Sequence, residues 1–207
     1  MVDRNFGGRR VQIVGSYQRL DELEEILKEF SYRVQKKDCL DLPKKIFMSR
    51  TIELTKEQNE AYATMKSAAL AQLKGKMATD PHVLTQLMRL HQITCGHLKS
   101  DDGVITNFKH SRIEELIDVI DEMEGKVIIW ANYVHDIKEI TKALEKEYDE
   151  GCVVQYYGEV SSQDRQKAIK YFQDPNSKVK YFVGNTQSAG YGLTLTAASN
   201  VIYYSNS

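Results

Sequence analysis

The sequence predicts an α/β protein: a parallel sheet flanked by helices, preceded by a mainly helical connecting region. Three observations lead there. Apolar runs rich in β-branched and aromatic residues stand at Val127–Trp130, Cys152–Tyr157, Val179–Val183 and Val201–Tyr204. They read as continuous apolar strands, the pattern of strands buried on both faces. Helical stripes lie between them, and the first three runs repeat at a spacing of roughly 26 residues, which fits βα units with right-handed crossovers. In such sheets the working surface lies at the carboxyl ends of the strands.

The elements follow in order. Leu20, Leu23, Ile26, Leu27 and Phe30 form the apolar stripe of a first helix. Lys45–Leu54 alternates as a strand does. Thr55 with Gln58 makes a capping box, opening a helix that runs toward Lys76. Asp80-Pro81 reads as an N-cap and first helical residue, before the apolar positions Val83, Leu84, Leu87, Met88 and Leu90. Lys99–Asn107 (KSDDGVITN) reads as a linker. Beyond it, Ser111 with Glu114 opens a helix carrying Ile113, Leu116, Ile117, Ile120 and Met123, closed by Gly125. Ile137, Ile140 and Leu144 mark the next helix. Ala168, Ile169 and Phe172 mark another, begun near Ser161 or Ser162. Three regions result: 1–45, a tail and connector; 46–107, mainly helical; and 108–207, the α/β lobe.

Composition bounds the function. With 42% hydrophobic and 28% charged residues in 207, the chain has material for one or two cores. Its longest apolar runs, such as Val127–Ala131, fall far below the roughly 18 residues that span a bilayer, so no membrane partner is expected. The start, MVDRNFGGRR, has no apolar stretch after its charges, so no signal peptide is expected. Cys39, Cys95 and Cys152 are far apart and odd in number, which suits a reducing, cytoplasmic setting. Residues 1–107 carry 17 Lys/Arg against 14 Asp/Glu, and residues 108–207 carry 11 against 15. A nucleic-acid binder with this balance makes local phosphate contacts and has no general positive field.

Three stretches carry candidate chemistry. Val179 to Ser207 runs a strand into a polar loop, Gly184-Asn185-Thr186-Gln187-Ser188, then into Gly190-Tyr191-Gly192. Glycines let backbone N–H groups approach an anion, but the same loop reads as a tight strand–helix turn. In Tyr156–Arg165 a strand ends at Gly158 and a Ser-capped helix places Arg165 in its first turn. Arg165 reads as half of a phosphate clamp or as a surface partner of Asp164 or Glu159. Trp130-Ala131-Asn132-Tyr133 ends a strand with an amide and an aromatic, able to touch nucleic acid or to cap the next helix. His91, Cys95 and His97 offer nitrogen and sulfur, but a helix turns them to different faces and no fourth ligand is near, so no metal site is assigned. The pairs Arg9-Arg10, Lys36-Lys37 and Lys44-Lys45 read as solvated faces or as the lining of a DNA path.

Taken together, these stretches resemble the C-terminal lobe of superfamily-two helicases, in particular the Swi/Snf branch. KVIIWANYVHDIKEI (126–140) is similar to that family's motif IV and its helix, YYGEVSSQDR (156–165) to its "hG…R" segment, and NTQSAGYGLTLTAASNVIYY (185–204) to motif V. Upstream, FSYRVQKKDCLDLPKK (30–45), ELTKEQNEAY (53–62) and LMRLHQITCGHL (87–98) match the family's connecting region in the same order. The resemblance implies a RecA-like lobe of the P-loop NTPase type. It implies an ATPase whose two lobes close on nucleotide and step along duplex DNA. Carried over, Asn132, Gly158, Arg165 and Thr186, with Gln187 and Ser188 beside it, are the DNA-side positions. Gly190, Tyr191 and Gly192 are the ATP-cleft positions. Gln187 stands where many relatives carry a basic residue.

The departures bear on chemistry. The sequence contains no G-x-x-x-x-G-K-[ST] loop and no D-E-x-H-type box, and it reaches Ser207 before an arginine-bearing motif VI. Phosphoryl transfer needs phosphate cradle, metal and arginine together. The expectation is therefore no catalytic residue and no metal ligand in this chain, with ATP and Mg2+ bound mainly by an N-terminal RecA-like lobe outside it. That lobe is the expected partner of the 20–30 stripe, which otherwise folds back on the helical region or pairs between chains as a homo-oligomer. The short loops fit a bacterial or phage enzyme. Three other readings stand beside this one: a non-catalytic lobe that binds DNA or a partner ATPase, lobe two of a DEAD-box-type RNA helicase, and an α/β domain used only for protein contacts.

Overall fold

The computed structural model describes residues 2–6, 9–13, 16–35, 39, 41, 44–73, 81–190 and 192–206. It divides into two compact units, Met1–Ser49 and Arg50–Ser207. In the first, β1 (Val2–Phe6) and β2 (Arg9–Ile13) form an antiparallel hairpin with no counterpart among the predicted elements. Its strands are five residues long and polar, below the length at which alternation stands out. The predicted stripe does form α1 (Leu20–Lys28), yet none of its residues is buried, and Leu20, Leu23, Ile26, Leu27 and Phe30 are all exposed. Lys36 and Lys37 lie outside the described residues.

Residues 44–55 are irregular, and the strand expected over Lys45–Leu54 does not form. Ile46, Phe47 and Met48 point to solvent, with no neighbouring strand to complete a ladder. The second unit then opens as predicted, with the capping box. Thr55 N donates to Gln58 Oε1 at 3.1 Å and Gln58 N to Thr55 Oγ1 at 3.3 Å, starting α2 (Lys56–Leu73). Gln58 is also buried against α3 (Pro81–Cys95), where its Nε2 donates to the Ile93 carbonyl at 2.8 Å. Asp80, the expected N-cap of α3, lies outside the described residues. Of the apolar positions predicted on α3, Val83 is buried, but Leu84, Leu87 and Met88 are exposed. The expected linker is instead a hairpin, β3 (His97–Lys99) paired with β4 (Ile105–Asn107). It turns through Gly103 at φ +83 and closes with Ser100 N to Val104 O at 2.8 Å.

The lobe itself alternates α4 (Arg112–Asp121), β5 (Lys126–Trp130), α5 (Val134–Glu147), β6 (Val153–Tyr156), α6 (Ser162–Gln173), β7 (Tyr181–Gly184), α7 (Thr186–Ala189) and β8 (Ala198–Tyr203). Ser111 precedes α4 without a side-chain cap bond, so that capping box does not form. Gly125, at φ +85, turns the chain into β5 instead of closing α4. Ser161 caps α6, accepting from Asp164 N at 3.1 Å. The four strands form a parallel sheet in the order β6-β7-β5-β8. Val127 and Ile129 of β5, with Tyr181 and Val183 of β7, face α4 and α5. Ile128 and Phe182 face the opposite way, toward Phe172 of α6, Ala189 of α7 and the 193–198 segment. Apolar residues on both faces are what a sheet covered on both sides requires.

Candidate functional site

The helix after β5 covers one face of the sheet, while the short helix after β7 joins the core of the other. β5 and β7 are hydrogen-bonded neighbours. Two adjacent parallel strands whose chains leave to opposite faces open a crevice at their carboxyl ends. Asn132 and Asn185 stand at that point.

Asn185 holds it together. Its N–H donates to the Tyr156 carbonyl at 3.0 Å and its Nδ2 to the Asn132 carbonyl at 2.6 Å. Its Oδ1 accepts from Gln187 N at 2.7 Å. One buried amide therefore ties the ends of β6 and β5 to the start of α7. On the other side, Asn132 N donates to Ser205 Oγ at 2.8 Å, and Ser205 Oγ lies 3.4 Å from Asp136 Oδ2. His97, from the β3–β4 hairpin, completes the line: its Nδ1 stands 3.1 Å from Asp136 Oδ1, an ion-pair distance away from hydrogen-bond alignment. Both side chains are almost fully buried.

Tyr133 belongs to the same packing. Its hydroxyl lies 2.9 Å from His91 Nδ1, and its ring sits 5.1 Å from that of His97. The helical region docks on this aromatic through His91, tilted against it, and His97, edge-on to it, while the ring also lines the crevice. It is the N-cap residue of α5 by position but supplies no side-chain cap. Burial pushes its phenol up to about 12 and the Cys95 thiol likewise to about 12. Burial also lowers the imidazoles of His91, His110 and His135. His91 and Cys95 share a helix face, with Sγ 3.9 Å from Nε2, contrary to the expectation of different faces. Among the described residues no three His, Cys, Asp or Glu side chains converge on a metal position.

The predicted positions fall into two groups. Asn132 and Gln187 line one cleft of about 470 Å3, together with Asn185, Tyr133 and residues of the β3–β4 hairpin. Gly158 and Ser188 meet beside it: a Cβ on Gly158 would lie 3.9 Å from Ser188 Oγ, an ordinary contact. Arg165 does not pair with Asp164 or Glu159, which face Lys167 and Lys138. Its guanidinium lies 5.6 Å from the centre of the Tyr156 ring, with Nε buried and without a hydrogen-bond partner. Thr186 begins α7, and its carbonyl accepts from Gly190 N at 2.8 Å. A Cβ on Gly190 would overlap that carbonyl, whereas Gly192 has open space but φ +76. Each glycine therefore has a local backbone reason. Tyr191 lies outside the described residues.

Residues 109–207 match the family described as helicase conserved C-terminal domain. The chain is also similar to two solved Sulfolobus solfataricus structures. The SWI2/SNF2 ATPase core domain has a TM-score of 0.65 and 28% identity, covering 92% of this chain and 41% of that one. The SWI2/SNF2 ATPase C-terminal domain has a TM-score of 0.59 and 25% identity, covering 74% and 68%. The chain is similar to the C-terminal lobe of SWI2/SNF2-type ATPases. It is also 27% identical over 206 residues to the human SWI/SNF-related matrix-associated actin-dependent regulator of chromatin subfamily A member 1, covering 92% of this chain and 20% of that protein. The chain spans between 9% and 21% of the length of the first curated relatives it matches. Among the described residues no helix is long and apolar enough to cross a membrane.

Sequence reasoning missed Asn185, His97, Asp136 and Ser205. An asparagine just before a short helix is an N-cap signal that could have singled out Asn185. The His97–Asp136 pair has no local signal.

Proposed function

We propose that this lobe is the second motor lobe of an ATP-dependent DNA translocase, and that its crevice edge forms part of the DNA track. The observation that carries this reading is the Asn185 side chain, which joins the motif IV strand end to the motif V loop at 2.6 Å and 2.7 Å. Asn132 and Gln187 line the cleft there, and Thr186, Ser188, Gly158 and Arg165 are the further DNA-side positions in this reading. In this reading Gly190, Tyr191 and Gly192 serve the ATP side. An N-terminal RecA-like lobe supplies the phosphate cradle and Mg2+ ligands, and it covers the exposed stripe of α1. The free thiols of Cys39, Cys95 and Cys152 suit the cytoplasm.

The test is phosphate release from ATP by the chain alone, by a separately expressed first lobe, and by the two mixed, with and without duplex DNA. The chain alone is inactive, and the mixture is active and stimulated by duplex. Arg165→Ala and Thr186→Ala lose that stimulation while keeping the basal rate. Hydrolysis by the chain alone, or equal stimulation by RNA, would sink the reading.

A further inference from the structure

The β3–β4 hairpin precedes residue 109, so the helicase family match does not include it, yet one of its side chains enters the lobe. His97 of β3 is 2% exposed, and its Nδ1 stands 3.1 Å from Oδ1 of Asp136, itself 3% exposed. Asp136 lies in the first turn of α5, where the helix dipole favours a carboxylate, but an exposed acid would serve that purpose. Burying a carboxylate costs stability unless it is paired. Its second oxygen is 3.4 Å from Ser205 Oγ, which accepts from Asn132 N at 2.8 Å. The donors therefore run in one direction. Ser205 keeps its single proton for Asp136, and a carboxylate only accepts, so a hydrogen on His97 Nδ1 is what it can receive from the other side. That nitrogen is already at hydrogen-bond length and lacks only alignment. The His97 ring packs on the same turn, 4.6 Å from His135 and edge-on to Tyr133. The hairpin is fastened in turn to α3, where Gln92 Oε1 accepts from Lys99 N at 3.2 Å and Arg89 pairs with Asp101.

We propose that His97 is a positioning residue of the motor lobe: acting through Asp136 and Ser205, it fixes the main chain of Asn132 at the end of β5. The hairpin, and the helical region that carries it, thereby set the geometry of the motif IV strand end. The sheet does not do this by itself. Ala131 N is still held by the Gly184 carbonyl of β7 at 2.9 Å, but the next amide, that of Asn132, turns to the Ser205 side chain. The consequence for activity rests on the translocase reading above.

The test reads hydrogen exchange at single amides of the full chain by NMR, beside ATP turnover of the chain mixed with a separately expressed first lobe. His97→Asn keeps an N–H near the position of Nδ1, whereas His97→Gln moves it toward Nε2, away from Asp136. Ser205→Ala removes the acceptor itself. His97→Gln and Ser205→Ala speed exchange at Asn132 by about fivefold, the scale of one net hydrogen bond. Val127 N, which donates to the Lys180 carbonyl, exchanges as in the parent. His97→Asn stays close to the parent throughout. In the mixture, the first two variants raise the half-saturating duplex concentration, with less change in turnover at saturating duplex. A merely structural His97 would speed Asn132 and Val127 together, with His97→Asn no better than His97→Gln, and either result overturns the proposal. So does an unchanged half-saturation in variants whose Asn132 amide has been freed. If the parent mixture is not stimulated by duplex, the translocase reading falls, while the exchange pattern still decides whether His97 holds Asn132.

Discussion

Asn185 shows how much one side chain can organise when it is buried at a junction. Its amide donates to Asn132 O and accepts from Gln187 N, so removal leaves a carbonyl and an N–H near the crevice without partners. Losing a cap costs about 1 kcal/mol, and orphaning a buried acceptor costs about 1–3 kcal/mol. Asn185→Ala therefore lowers stability by about 2–3 kcal/mol in urea denaturation. Asn185→Ser keeps an acceptor for α7 but is too short to reach Asn132, so it recovers only the capping part. Equal losses for the two variants would show that the bond to Asn132 contributes nothing. Arg165 offers a contrast, since its buried Nε has no hydrogen-bond partner and its guanidinium rests on Tyr156.

At the scale of elements, the packing of the helical region depends on a few buried polar groups. Gln58 caps α2 and also donates across to Ile93 O of α3 at 2.8 Å, so the two helices share one amide. Gln58→Ala loses the cap, leaves a buried carbonyl without a donor and opens a cavity. It costs about 3 kcal/mol. Thr64→Ala on the exposed face of the same helix should change stability by no more than about 0.5 kcal/mol. Similar urea midpoints for the two variants would show that the α2–α3 pair does not rely on Gln58. The β3–β4 hairpin is the other such element. What reads as a linker, KSDDGVITN, folds because Gly103 supplies a positive φ and His97 beneath it is pinned by Asp136.

For the whole molecule, the histidines set the dependence on pH. Burial is the largest cause lowering the pKa of His91, His110 and His135, so each folded-state value lies below the usual imidazole value of 6.5. Above 6.5 both folded and unfolded chains hold neutral imidazoles, and these groups do not alter stability. Below it the unfolded chain takes up protons first, so stability falls with pH until the folded-state values are reached. The urea midpoint at pH 5.5 is therefore lower than at pH 7.5, and His135→Gln recovers part of the difference. A midpoint unchanged over that interval would contradict the burial of these rings.

The sequence by itself determined the strands and helices of the lobe, the capping box at Thr55, the serine cap at Ser161 and the similarity of residues 109–207 to a helicase C-terminal domain. Those signals are local: a cap acts over three residues, and periodicity over one or two turns. Tertiary structure alone decided which strand ends adjoin, that 44–54 lacks a partner strand, and that Leu84, Leu87 and Met88 stay exposed. It also decided the crevice, because the bonds that build it join residues 53 and 69 positions apart in the chain. Nothing in the spacing of Asn132 and Asn185, or of Asp136 and Ser205, marks them as neighbours. They meet only because β7 inserts beside β5 and the two following helices cover opposite faces of the sheet.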